Sequence, residues 1–207
     1  MDRRELLKMI ALVTGGAVVG SEFFLSGCTA GGKAETGFSP ANISLLDEIG
    51  ETILPATASP GAKAAKVGEF MKVYVTDCYN KTNQDVFMKG ISDLEEASKK
   101  INGKGFMDCT PEQRRTLLTG LEKEAADYNK KQWEKDKPVM EELQKQNRGY
   151  EFVASPAHYY TMIKQLTLLG FFTSEVGATQ ALRSNPVPHR YDGAMPYKKG
   201  DKAWAEQ

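Results

Sequence analysis

Charge of one sign, histidine, cysteine and the glycine patterns of nucleotide-binding folds are scarce or missing in this 207-residue chain. Lys and Arg number 27 against 27 Asp and Glu, so no basic excess exists to neutralise a nucleic-acid backbone. Only His158 and His189 are present, which excludes a multi-histidine metal site built from this chain alone. There is no C-x-x-C-H for covalent haem and no cysteine cluster for an iron–sulfur centre. The G-x-G-x-x-G pattern, the P-loop and the G-x-S-x-G elbow are missing too. No nucleotide or flavin fold is encoded, and no catalytic carboxylate pair stands out from the many carboxylates.

A long hydrophobic run is also lacking. Met9 to Gly20 is mostly apolar, but Gly15-Gly16 and Gly20 interrupt it and Glu22 follows. A spanning helix needs about 20 predominantly apolar residues. What stands there instead is a basic start, Met1-Asp2-Arg3-Arg4-Glu5-Leu6-Leu7-Lys8, a short apolar stretch and small residues around Cys28. That order describes an export signal. The pair Arg3-Arg4 points to the twin-arginine route, which carries proteins already folded. Leu25-Ser26-Gly27-Cys28 resembles the bacterial lipobox, in which Cys28 becomes the lipidated first residue. The expected organisation is a signal over 1–27, a small-residue, Gly-rich tether over 28–40 and a folded domain over 41–207. The expected location is the periplasm, with the lipid holding the protein at a membrane.

Periodicity in the remainder is helical throughout, and no alternating strand pattern emerges, so the fold class is all-α: an irregular helical bundle. Ile43, Leu46, Ile49, Ile53 and Leu54 line one helix that Pro55 stops. A turn-rich loop covers 55–66, and a second helix runs from Val67 to Tyr79. The third is expected from about Gln84 to Ile101, capped by Thr82 or Asn83 and ended by Asn102-Gly103. Thr110-Pro111-Glu112-Gln113 is the sharpest local signal: an N-cap, a proline at the first position and a capping-box glutamine. The helix it opens becomes highly charged after Leu121, and Pro138 should kink or end it, giving an arm in two pieces or a partly mobile excursion. Ser155-Pro156 should start a last helix, buried nearly all round, that runs to about Thr179, with Gly170 and Gly177 allowing a neighbour close. His158, at its start, fits a backbone-capping role.

Cys78 and Cys109 form an even pair in a disulfide-permissive compartment, and either a bridge or two free thiols fits the sequence. After Ala181 the chain becomes an extended arm: Pro186, Pro188 and Pro196 forbid a helix, while Tyr191, Tyr197 and Trp204 are poor choices for a solvated tail. Such an arm either wraps on its own helices or lies against another protein. Those six residues are the candidate partner interface.

Two segments carry a resemblance. Leu45-Leu46-Asp47-Glu48-Ile49-Gly50-Glu51-Thr52-Ile53-Leu54-Pro55, with Ser59-Pro60-Gly61-Ala62-Lys63-Ala64-Ala65-Lys66-Val67, forms the first. Phe171-Phe172-Thr173-Ser174-Glu175-Val176-Gly177-Ala178-Thr179 and the Pro-Val-Pro arm form the second. Together they resemble the gluconate 2-dehydrogenase subunit 3 family, the small or gamma subunit. The resemblance implies a non-catalytic accessory subunit, with no cofactor of its own. Its partner would be a large FAD-dependent dehydrogenase of the glucose-methanol-choline type acting on sugars or sugar acids, sometimes with a cytochrome c subunit. It implies no catalytic residues. A stand-alone helical envelope lipoprotein, binding a ligand or acting as a scaffold, is the other reading of the same residues.

Overall fold

The computed structural model describes residues 37–185, 187, 193–196 and 198–205. Among them the secondary structure is helical, with a single isolated bridge between Arg183 and Trp204. Helix α1 spans Pro40–Ile53, α2 Val67–Cys78, α3 Lys81–Asn102, α4 Pro111–Lys145 and α5 Tyr159–Phe172. The all-α expectation holds. The fold begins slightly earlier than the expected tether boundary. Ser39 caps α1 by accepting from the Asn42 N–H at 3.1 Å, and the Phe38 ring lies 6.1 Å from that of Phe87.

Each helix starts where a side chain satisfies a free backbone donor, and two of those caps differ from the sequence reading. Asn80, rather than Thr82 or Asn83, caps α3, with Oδ1 accepting from the Asn83 N–H at 2.9 Å. The earlier start lets Gln84 reach back. Its amide donates to the carbonyls of Val75, Thr76 and Tyr79, covering the open end of α2. Gly103, at φ 72°, closes α3 through its N–H to the Lys99 carbonyl. The capping box of Thr110 and Gln113 forms as expected.

α4 is a single helix of 35 residues and Pro138 lies inside it, so the expected division into two pieces does not occur. Proline removes one hydrogen bond, to the carbonyl of Glu134, and both residues face solvent where water can take that carbonyl. Leu117, Leu118, Leu121 and Ala125 are its buried residues, so the second half projects as an arm of about 30 Å. The chain returns along that arm and is pinned to it. The Ser155 N–H and Oγ both donate to Asp136, at 2.7 and 2.8 Å, and the His158 N–H donates to Asn129 at 2.9 Å.

Ser155 is therefore a clasp on α4, and His158 caps α5 instead. α5 packs against all four other helices and carries the centre of the core. Tyr160, Met162, Ile163, Leu166 and Phe171 are buried, as is Thr167, whose hydroxyl donates to the Ile163 carbonyl at 2.8 Å. The expected all-round burial fails on one stripe, where Leu168, Leu169 and Phe172 are 36–42% exposed. The helix also ends at Phe172, short of Thr179. Thr173 Oγ1 and Ser174 Oγ take the carbonyls of Leu169 and Phe171, and Ser174 Oγ accepts from the Gly177 N–H. These side chains compete with the helical ladder. The backbone then forms a π-helical turn over Gly177–Ala181.

Two glycines set how near α5 comes to its neighbours. A Cβ on Gly90 of α3 would sit 2.2 Å from Tyr159 Cβ, and one on Gly170 would sit 2.6 Å from the Phe70 ring of α2. Gly120, on the exposed face of α4, has open space around it. Gly90→Ala should therefore destabilise the domain by about 1–3 kcal/mol through overpacking. Gly120→Ala should stabilise it by about 1 kcal/mol through helix propensity. Urea denaturation of the two variants checks both signs; a neutral Gly90→Ala contradicts the packing described.

Candidate functional site

Three carboxylates on the last turns of α1 hold the loop that follows it. Asp47 accepts from the Gly68 N–H at 2.8 Å, at the N-terminus of α2 where a negative group is favoured. Glu51 accepts from the N–H groups of Ala56 and Lys63, at 2.8 and 2.9 Å. Glu48 pairs with Lys63 at 2.7 Å and with Arg114 of α4. Arg114 also donates to the carbonyls of Phe106 and Met107, so one guanidinium ties α4, α1 and the 3₁₀ turn Phe106–Asp108 together. The Lys63 ammonium, with Arg114 beside it, holds the Glu48 carboxyl below its ordinary range. Burial pushes that of Asp47 up despite the Gly68 donor. Every one of these groups is occupied within the fold. The acidic residues of the first resemblance segment are therefore architectural.

A different region is open. A cleft of about 460 Å³ lies between α3, α4 and the start of α5. Val86 and Leu121 line it, and Tyr128, His158 and Tyr159 supply aromatic walls. The His158 ring sits 4.3 Å from that of Tyr159 and 5.4 Å, edge to face, from that of Tyr128. Its Nδ1 accepts from the Tyr160 N–H at 3.3 Å, so in the neutral ring the proton is on Nε2. Nε2 faces Glu124 at 4.0 Å, beyond hydrogen-bond reach. Burial lowers the His158 pKa, opposed by the charges of Glu124 and Asp93. The same burial raises the Tyr159 phenol well above its ordinary value. Lys89 and Asp93 close one rim as an ion pair along α3, and Glu124 stands on the other.

The residues singled out in the sequence are distributed as follows. Arg3, Arg4 and Cys28 lie outside the described residues, as do His189, Pro186, Pro188, Tyr191 and Tyr197. Cys78 and Cys109 are both free thiols, and the bridge is not made. Cys109 is buried, 3.3 Å from Ser98 Oγ, whereas Cys78 is exposed at the end of α2. Pro196 is exposed. Trp204 folds back: the Arg183 guanidinium lies 4.4 Å from its ring, and the backbones of 183 and 203–205 exchange two hydrogen bonds of 2.8 Å. At this point the arm closes on its own first residues, and Lys202 ties it to its root by donating to the Gln180 carbonyl. The cleft itself was missed in the sequence. Glu124 and Tyr128, four apart on α4, fall in the stretch whose only sequence signal is its high charge, and His158 reads as a cap. Among the described residues no group of three or more His, Cys, Asp or Glu could hold a metal ion.

The geometry thus defines an all-α domain with an acid-clasped corner, a projecting helical arm and one aromatic cleft. A family model described as gluconate 2-dehydrogenase subunit 3 matches residues 40–189, well over half of the chain. The chain belongs to that family. The matched region contains all five helices and both resemblance segments up to the start of the C-terminal arm. No curated protein and no solved structure matches the chain.

Two outcomes follow from this geometry. Glu48→Ala leaves Arg114 without its carboxylate and should cost about 2–3 kcal/mol at neutral pH, less than for a fully buried pair. A loss below about 0.5 kcal/mol in chemical denaturation would place the pair among ordinary surface ion pairs. For His158 the sign is set by a folded pKa below the ordinary 6.5. As pH falls the unfolded chain binds the proton first, so stability is complete above about 6.5 and declines below it. His158→Asn keeps a capping side chain that does not titrate. Its stability should change less between pH 7 and 5 than that of the wild type; equal slopes contradict the assignment.

Proposed function

We propose that this chain is a non-catalytic accessory subunit that escorts and anchors a periplasmic FAD-dependent dehydrogenase of the glucose-methanol-choline type, acting on sugars or sugar acids. The observation that carries the reading is the family match over residues 40–189, whose description names one subunit of a multi-subunit dehydrogenase. The leader supports the escort role. Arg3-Arg4 fits a route for folded cargo, and a flavoprotein is loaded with its cofactor before it leaves the cytoplasm. A partner without its own leader would travel on this one. Lipidation of Cys28 would then hold the complex at the membrane, because a diacylglyceryl group supplies the second chain that stable anchoring requires.

The described surface is compatible with docking. Leu168, Leu169 and Phe172 form an exposed apolar stripe on α5, and Trp133 and Val139 are more than half exposed on the α4 arm. FAD would belong to the large subunit, and a cytochrome c subunit would complete an electron path. The cleft favours a second reading, a stand-alone envelope lipoprotein that binds a ligand, because a pure scaffold has no use for it.

The escort role is tested by fractionation. With Arg3 and Arg4 both changed to Lys, the dehydrogenase subunit encoded with this chain should stay in the cytoplasm, as it should when this chain is deleted. Normal export of the dehydrogenase in either strain contradicts the role. Separately, Cys28→Ala should move the complex from the membrane to the soluble periplasmic fraction without blocking export.

A further inference from the structure

The subunit role leaves the aromatic cleft unexplained, and its charges are not balanced. Asp93 has its cation: both carboxylate oxygens accept from Lys89 Nζ, at 2.7 and 2.6 Å. Glu124 has none. Its ionic neighbour is His158 Nε2 at 4.0 Å, on a ring whose other nitrogen is engaged as a proton acceptor and which is therefore neutral. The cleft thus presents one uncompensated negative charge beside three aromatic rings.

We propose that this cleft binds an organic cation with an apolar stem, of the guanidinium or alkylammonium class, paired with Glu124 and flanked by Tyr128 and Tyr159. Aromatic rings attract such cations through their negative faces, and a carboxylate at the mouth adds a charge partner. The apolar lining from Val86 and Leu121 suits the stem. A volume of about 460 Å³ lies in the range of small-ligand sites. An anion would meet the unpaired charge of Glu124 and is disfavoured on the same ground. The His158 wall is fixed before any ligand arrives. His158 is nine-tenths buried and held by its cap, its N–H is held by Asn129, and the next turn of α5 is tied to Asn129 through Thr161. On that side little ordering is left for binding to impose.

The cation could be a free amine or a basic side chain offered by another protein, and two probes separate these sources. Butylguanidinium represents the free ligand and N-acetyl-arginine amide the presented side chain. N-acetyl-citrulline amide is the neutral match for the latter. Binding is read by NMR on the purified protein with labelled Tyr and His rings. The arginine compound should shift Tyr128, His158 and Tyr159 saturably and bind about tenfold more tightly than the citrulline compound. Stronger binding of butylguanidinium assigns the site to free amines; stronger binding of the arginine compound assigns it to a protein side chain.

Glu124 is 68% exposed, so Glu124→Gln should leave the thermal melt unchanged while reducing the tenfold preference to below about threefold. Tyr128→Leu keeps an apolar side chain, and there the arginine compound should bind several-fold more weakly. Equal binding of arginine and citrulline compounds overturns the proposal. So do shifts confined to other residues, or an undiminished preference in Glu124→Gln.

Discussion

The rest of the domain depends on how closely α5 approaches α2 and α3. At Gly90 and Gly170 a single added carbon would overlap Tyr159 or Phe70, so each of those side chains seats directly on helix backbone where a Cβ is missing. That contact lets one 14-residue helix touch all four others and bury Met162, Ile163, Leu166 and Phe171 in a shared core. Full burial of such a side chain contributes about 1.5–3 kcal/mol, so a small shift of α5 would be felt throughout. The aromatic cleft depends on the same approach. Tyr159, which lines the cleft, is the residue that Gly90 admits, and His158 precedes it.

Around that core, polar side chains decide where the chain turns. Asp47, Glu48 and Glu51 convert the loop after α1 into a fixed corner, and Arg114 carries the connection to α4. Asp136 and Asn129 do the corresponding work for the segment that returns from the arm. These contacts link residues distant in sequence; the carboxylates of Asp47, Glu51 and Asp136 and the Asn129 amide oxygen each satisfy a backbone donor that would otherwise be left open, and Arg114 satisfies the carbonyls of Phe106 and Met107. The result is a domain whose large exposed features are an apolar stripe, an arm and a cleft.

Much of this was legible in the sequence because it is local. Thr110-Pro111-Glu112-Gln113 and Asn102-Gly103 each act within four residues, and the structure places helix ends at both. What was not legible came from contacts made across the fold. Ser155 has the residue type of a cap, yet Asp136 claims it from 19 positions away. Pro138 should break a helix in a crowded setting but is tolerated where its freed carbonyl meets water. Cys78 and Cys109 are an even pair by count, and only the placement of one at a surface and one in the core separates them. The cleft needed three elements brought together, which no spacing along one of them encodes.

The central claim is that this chain works as part of a flavoprotein dehydrogenase complex. Affinity purification of the mature protein from detergent-treated cells, followed by an absorbance spectrum and subunit stoichiometry, tests it most directly. The account predicts a yellow complex containing flavin and one large subunit per copy of this chain. A colourless, partner-free protein obtained from cells that express the dehydrogenase would contradict it.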